Sequence, residues 1–209
     1  METSLFHMPG YRVNEYLLVL DLPEVLRHKI EKARKELLEK YLIPQPPTGR
    51  PHVALARFVL PEMMEEKILY RLQVIAMAEK PFLVELNNYG SYPMHSIYIN
   101  IGNQQRVLEL IKNLKQARRL MKHGEQDPHF LLDPTIPLAG RIDKKIYVEA
   151  IKEYSHKHFS GKFVADAMLI LKRKAGEKKY QVLRRLEFQN LPVNAAQGNL
   201  FIPLSPKGE

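Results

Sequence analysis

The chain is 209 residues long, 45% hydrophobic and 26% charged, proportions that exclude a mostly disordered polymer and suit one domain or two small lobes sharing a core. With no cysteine it has no disulfide framework, no thiolate chemistry and no cysteine-ligated metal. The formal net charge of +9 draws polyanions, so RNA, nucleotides and other phosphates are the natural ligands, with plain solubility as the competing explanation.

Residues 1–10 lack the basic start and long apolar run of a signal peptide, and apolar runs elsewhere are strand-sized. A cytoplasmic protein with no membrane span is expected. Residues 15–20 read as a buried strand. Asp21 and Glu24, flanking Pro23, look like the start of a helix running to about Tyr41. Its apolar stripe is Val25, Leu26, Ile30, Ala33, Leu37, Leu38 and Tyr41. A proline-rich loop, 45–51, leads into a strand over 52–60. Pro61 and Glu62 open a second helix that ends at Lys80 and Pro81.

Residues 82–87 and 94–101 read as two strands around a turn bearing tyrosine and glycine. A third helix is expected over about 104–121, a loop over 127–134 and a strand over 135–142. Asp143 is placed to cap a helix reaching about His156. Residues 163–173 and 179–188 form a hairpin around Ala175, Gly176 and Glu177, and the chain from Leu191 is expected to run extended over the surface.

A repeat of pattern runs through these elements. A strand, a helix and a strand pair begin at His52 and again at Thr135, 83 residues later, with Phe82 and Phe163 opening the paired strands of the two copies. The expected fold class is α+β: two pseudo-symmetric lobes, each an antiparallel sheet with helices on the outer face, around a central cleft. No low-complexity linker separates the lobes, so residues 1–209 are read as one bilobal domain.

Both repeated strands open after a proline. The first reads Pro51-His52-Val53-Ala54-Leu55-Ala56 and the second Pro134-Thr135-Ile136-Pro137-Leu138-Ala139. With the segment order and the closing hairpin, this arrangement resembles the two-histidine phosphoesterases of the 2'-5' RNA ligase-like kind over about residues 14–190. That group carries His-x-Thr/Ser-x once per lobe. The resemblance implies a cyclic phosphodiesterase or 2'-5' phosphodiester chemistry without a cofactor, on RNA or a nucleotide phosphate, and without a metal. One histidine takes a proton from the nucleophile and the other gives one to the leaving oxygen. A hydroxyl two residues on lies on the same face of the strand and donates to the phosphate as charge develops there.

This chain departs from the pattern in three places. His52 matches the first histidine, but Ala54 stands at the first hydroxyl, Thr135 at the second histidine and Pro137 at the second hydroxyl. Losing one acid–base partner costs roughly 10²–10⁴-fold in rate. The resemblance therefore makes His52 and Thr135 the catalytic positions of a site with impaired activity. The alternative is a non-catalytic module that keeps the cleft and binds phosphates.

Other residues are candidates beside these two. Arg57 and Arg141 lie further along the motif strands and are placed to clamp phosphate. His129, six residues before Thr135, is a loop residue within reach of the cleft as a replacement for the lost histidine. His95 is a weaker candidate of the same kind. Tyr89, Tyr92 and Tyr98 could stack a base, though Tyr98, between isoleucines, is expected in the core. His156 and His158 have a metal-like spacing but no third ligand. Basic clusters at 118–122, 172–174, 178–179 and 184–185 either reach phosphates or line solvated faces.

Overall fold

The computed structural model describes residues 11–44, 47, 49–93 and 95–191. In chain order the elements begin β1 (Val13–Leu20), α1 (Glu24–Lys40), β2 (Val53–Pro61), α2 (Glu65–Ala78), β3 (Phe82–Tyr92) and β4 (Ser96–Ile101). They continue α3 (Gln105–Leu114), α4 (Arg118–Met121), β5 (His129–Phe130), β6 (Thr135–Pro137) and α5 (Lys144–Tyr154). The last three are β7 (Ser160–Ala165), β8 (Ala167–Lys174) and β9 (Gln181–Glu187).

Two antiparallel sheets result, one ordered β5-β2-β1-β8-β9 and the other β6-β4-β3-β7. Alternation along each strand decides which face is covered. In β4, Ile97, Ile99 and Ile101 are buried, while Tyr98 and Asn100 point the other way and are half-buried. In β1, Tyr16, Leu18 and Leu20 are fully buried and Glu15 points away from them, while Leu17 and Val19 on that second face are covered as well. Each sheet thus has one apolar face under helices and one face open to a groove.

The helices cross between the sheets. Helix α1 leaves the first sheet but covers the second. Its Leu26 sits where a side chain on Gly161 of β7 would collide with it, and Lys29 Nζ donates to the Ser160 carbonyl. At its far end Lys40 and the Tyr41 hydroxyl both reach Glu153 of α5. Helix α3 mirrors this: it leaves the second sheet and packs behind β2 of the first, where Lys115, just past its end, lies 5.9 Å from the Phe130 ring centre. Helix α2 stays on the first sheet, where Glu65 accepts from Tyr16 (2.8 Å), and α5 stays on the second, where Tyr147 meets Ser91 (2.8 Å). The buried residues of both sheets form one cluster.

The two-lobe α+β fold is the one expected, but the repeating unit differs. Phe82 and Phe163 are not equivalent: they lie on adjacent strands of one sheet, with Phe82 opposite Ala165 and Val84 opposite Phe163. What recurs, with the short α4 and β5 as insertions in the second copy, is strand, helix, strand, helix, from Val13 and again from Ser96, also 83 residues apart. The long strand expected over 163–173 is two strands in different sheets, split at Asp166. The hairpin turn falls at Ala175 and Gly176, where the glycine takes φ +86.

Several local expectations are also corrected. Asp21 does not cap α1, whose N-cap is Pro23 without a side-chain bond; Asp21 instead accepts from Arg27 at 3.0 Å. Val25 is 84% exposed because it falls off the buried stripe of Leu26, Ile30, Ala33 and Leu37. The tyrosine- and glycine-bearing segment belongs to β3, which absorbs it through a register shift between Leu86 and Tyr89, with Asn88 at φ +58. A 3-10 turn at 115–117 interrupts the third helix. The strand from Thr135 stops at Pro137, and the amides of Leu138 and Ala139 then both donate to Ile97. The loop before it contains β5. Asp143 caps α5 as expected, accepting from the Lys145 amide at 2.9 Å. The surface course expected beyond Leu191 lies outside the described residues.

Burial predicts where truncation costs most. Ile30→Ala, at a fully buried α1 position, should lower the unfolding free energy by about 2–5 kcal/mol. Val25→Ala, one turn earlier and exposed, should change it by less than about 0.5 kcal/mol. Denaturant melts of the two variants check the pair.

Candidate functional site

His52 is the residue before β2. Pro51, buried beside it, restricts Arg50 to an extended conformation. The Arg50 carbonyl lies 2.8 Å from His52 Nδ1. A carbonyl only accepts, so Nδ1 carries the proton and Nε2 is the lone-pair nitrogen of the neutral ring. Burial holds the imidazole pKa below its ordinary 6.5; the bond to Arg50 opposes this, the Arg34 charge adds to it and Asp21 opposes it. His52 is therefore neutral near pH 7 and has the state of a base.

Ala54 follows on the same face, opposite Val19, and offers no donor. A register shift then leaves Leu55 unpaired with β1 and returns Arg57 to the groove face, opposite Leu17. Arg57 is exposed and pairs across β5 with His129. Together they line a cavity of about 530 Å³ with Glu15, Val59 and Asp127. Five residues of strand put that cavity about 16 Å along β2 from His52. His129 therefore belongs with Arg57 and does not face His52.

Thr135 opens β6 in the other sheet. Strands β2 and β6 border one another, with Cα atoms within 8 Å. Thr135 is half-buried opposite Asn100, and Pro137 is opposite Tyr98. The Tyr92 hydroxyl donates to Asp133 Oδ2 at 2.5 Å. Burial first, and that bond next, push the Tyr92 phenol up to about 12, while a hydrogen bond from Thr135 works the other way. The Tyr92 and Tyr98 rings lie 4.6 Å apart at 41°. Tyr98 is thus a groove residue rather than a core one: isoleucines at 97 and 99 put it on the opposite face. Tyr89 turns away to meet Tyr154 and Phe159 on the helix side. Arg141 lies past the end of β6, exposed on a bend, and is not the counterpart of Arg57. His95 is exposed on the turn after β3.

No family model matches the chain, and no curated protein matches it. Solved structures do. Apo E. coli LigT superimposes with a TM-score of 0.61 at 16% identity, covering 84% of this chain and 98% of that one. E. coli LigT complexed with 3'-AMP gives 0.59 at 16% over 85% and 98%. TT0787 of Thermus thermophilus gives 0.55 at 18% over 84% and 98%. This chain has the LigT fold.

One residue at the seam of this LigT-like groove carries no sequence signal. Arg34 of α1 sends Nη1 to the Gly49 carbonyl (3.1 Å) and Nη2 to the Pro137 carbonyl (3.0 Å), so one guanidinium ties the loop before His52 to β6. In the sequence it is one of many arginines flanking an apolar stripe. Asn100 and Asp133 are equally silent there. The basic clusters are largely spoken for: Arg118 and Lys122 reach Asp127, Lys172 reaches Glu62 and Glu65, and Arg173 reaches Glu15. Arg184 reaches Glu66 and Arg185 reaches Asp166. His156 Nδ1 is bound to the Lys152 carbonyl, and among the described residues no three acidic or histidine side chains gather as metal ligands.

The His52 ring should titrate with a midpoint below 6.5, read from its Cε1 proton by NMR. Because the folded value lies below the unfolded one, its contribution to stability is full above about pH 6.5 and is lost as pH falls through the folded midpoint. A midpoint above 6.5 would contradict the partly desolvated neutral ring.

Proposed function

We propose that this chain is a divergent phosphodiesterase of the two-histidine kind, acting with impaired activity on 2',3'-cyclic or 2'-5' phosphodiesters of RNA or nucleotides. His52 is its proton-transfer group. The observation that carries this reading is His52 itself: a neutral imidazole with its Nε2 lone pair unused by the Arg50 contact, at the seam between the strands that carry the two motif positions. The LigT structures lend support, since that fold has been captured with 3'-AMP, ATP and NADP+. Hydrolysis of a cyclic phosphate needs only water, so no cofactor is required. Arg57, about 16 Å along β2 from His52, would hold a second phosphate of a longer ligand and not the reacting one. One bilobal unit in the cytoplasm is the setting we propose.

Ala54, Thr135 and Pro137 favour a second reading, a binding module that keeps the groove and has lost the reaction. Turnover of a 2',3'-cyclic nucleotide decides between them. The natural protein should be slow, His52→Ala should abolish its activity, and Thr135→His should raise it by up to roughly 10²-fold, within the range set by one acid–base partner. Nucleotide binding without any turnover would favour the module, and turnover that survives His52→Ala would remove this histidine from the mechanism.

Binding itself should be salt-sensitive. Calorimetric titration with a 2'-phosphorylated nucleotide should show affinity falling several-fold between low and physiological ionic strength, because the cations of the groove face are partly solvated. No binding at low salt would sink the phosphate-site reading.

A further inference from the structure

The motif pattern leaves His52 without a titratable partner at Thr135, whose hydroxyl cannot exchange a proton near neutral pH. The side chain beside Thr135, the Tyr92 phenol, is titratable. Tyr92 reaches over the groove face of the second sheet, its ring on Tyr98 and its hydroxyl between Thr135 and Asp133. The strand is built to admit this pair. A side chain on Gly90 would lie 2.5 Å from the Tyr98 ring and 2.7 Å from Asn100 Oδ1, so only glycine leaves Tyr98 where Tyr92 rests on it. The other candidates are placed elsewhere: His129 beside Arg57, His95 on an exposed turn and Arg141 beyond β6.

We propose that Tyr92, oriented by Asp133, is the second proton-transfer residue of this site and gives its phenolic proton to the departing sugar oxygen. The inference rests on the phosphodiesterase reading above. In the step, a water oxygen bonds to phosphorus while the bond from phosphorus to one ribose oxygen breaks. His52 Nε2 takes the water proton, and the Tyr92 hydroxyl turns from Asp133 to give its own proton to the leaving oxygen. Solvent then returns a proton to the phenolate and removes one from the imidazolium, so one water is consumed and both residues are restored. A departing sugar alkoxide is at least as strong a base as this phenolate, so the transfer is not uphill. The Asp133 carboxylate keeps the phenol protonated between turnovers, which is the state a donor needs.

Tyr92→Phe tests the hydroxyl while keeping the ring. Two substrates are compared: a 2',3'-cyclic nucleotide, whose leaving oxygen needs a proton, and a nucleoside p-nitrophenyl phosphodiester, whose leaving group departs without one. Tyr92→Phe should lower kcat on the cyclic substrate by about 10²-fold with KM within about twofold, and lose far less on the p-nitrophenyl ester. The natural protein's kcat should rise through the His52 midpoint and show no descending limb near neutral pH, because the phenol holds its proton to about pH 12. Equal losses on both substrates, or an unchanged kcat with raised KM, would overturn the proton-transfer role in favour of substrate positioning by the hydroxyl. Full activity in Tyr92→Phe with none in His52→Ala would overturn this inference and leave the phosphodiesterase reading standing. No turnover of either substrate by the natural protein would overturn both.

Discussion

Everything in this fold follows from one constraint: each sheet must bury one apolar face and keep the other open. The chain meets it by exchanging helices. Helix α1 belongs by sequence to the first sheet and covers the second, and α3 does the reverse. Neither lobe therefore has a private core. Ile30 and Leu37 from one repeat and Ile111 and Leu114 from the other all belong to a single buried cluster. Pulling the lobes apart would expose both apolar faces at once, so the groove between them is held by hydrophobic burial distributed over the whole molecule.

The same arrangement explains the electrostatics of the groove. A charge of +9 suggests a broadly cationic surface, yet many of the clustered cations are matched to acids: Arg173 to Glu15, Lys172 to Glu62 and Glu65, Arg118 to Asp127. Of these only Arg118 with Asp127 is exposed on both sides, and such a pair adds little stability; all of them spread the positive potential instead of concentrating it. What is concentrated sits at the seam. There, burial keeps His52 uncharged and Arg34 supplies a permanent charge beside it.

Much of this is legible in the sequence, because it depends on short-range rules. A proline before a polar residue and an apolar run marks a strand start, and that signal finds both His52 and Thr135. Gly176 marks the closing hairpin, and Asp143 marks the start of α5. The 83-residue spacing holds although the repeating unit differs from the one expected, since the spacing belongs to whole elements and not to the phenylalanines that seem to mark them. What stays hidden depends on pairing between distant segments. Nothing local distinguishes Asp166 as the point where a strand changes sheets, or makes Arg34 the arginine that meets Pro137. Tyr98 misleads for a subtler reason: flanking isoleucines suggest company in the core, whereas alternation places them on the opposite face.

The crossing at Asp166 has a consequence for how the groove accommodates what enters it. Strand β7 is stitched to β3 up to Ala165, opposite Phe82, and β8 is stitched to β1 from Leu169, opposite Val19. Three residues separate those two anchors, and the Asp166 carbonyl is itself taken by the Phe188 amide at 2.8 Å. There is no slack at this side of the jaw, and Arg34 clasps the other side with two carbonyl bonds that do not titrate. The opening between the sheets is therefore held at a set width, and selectivity in it would come from shape and from the few side chains on its floor.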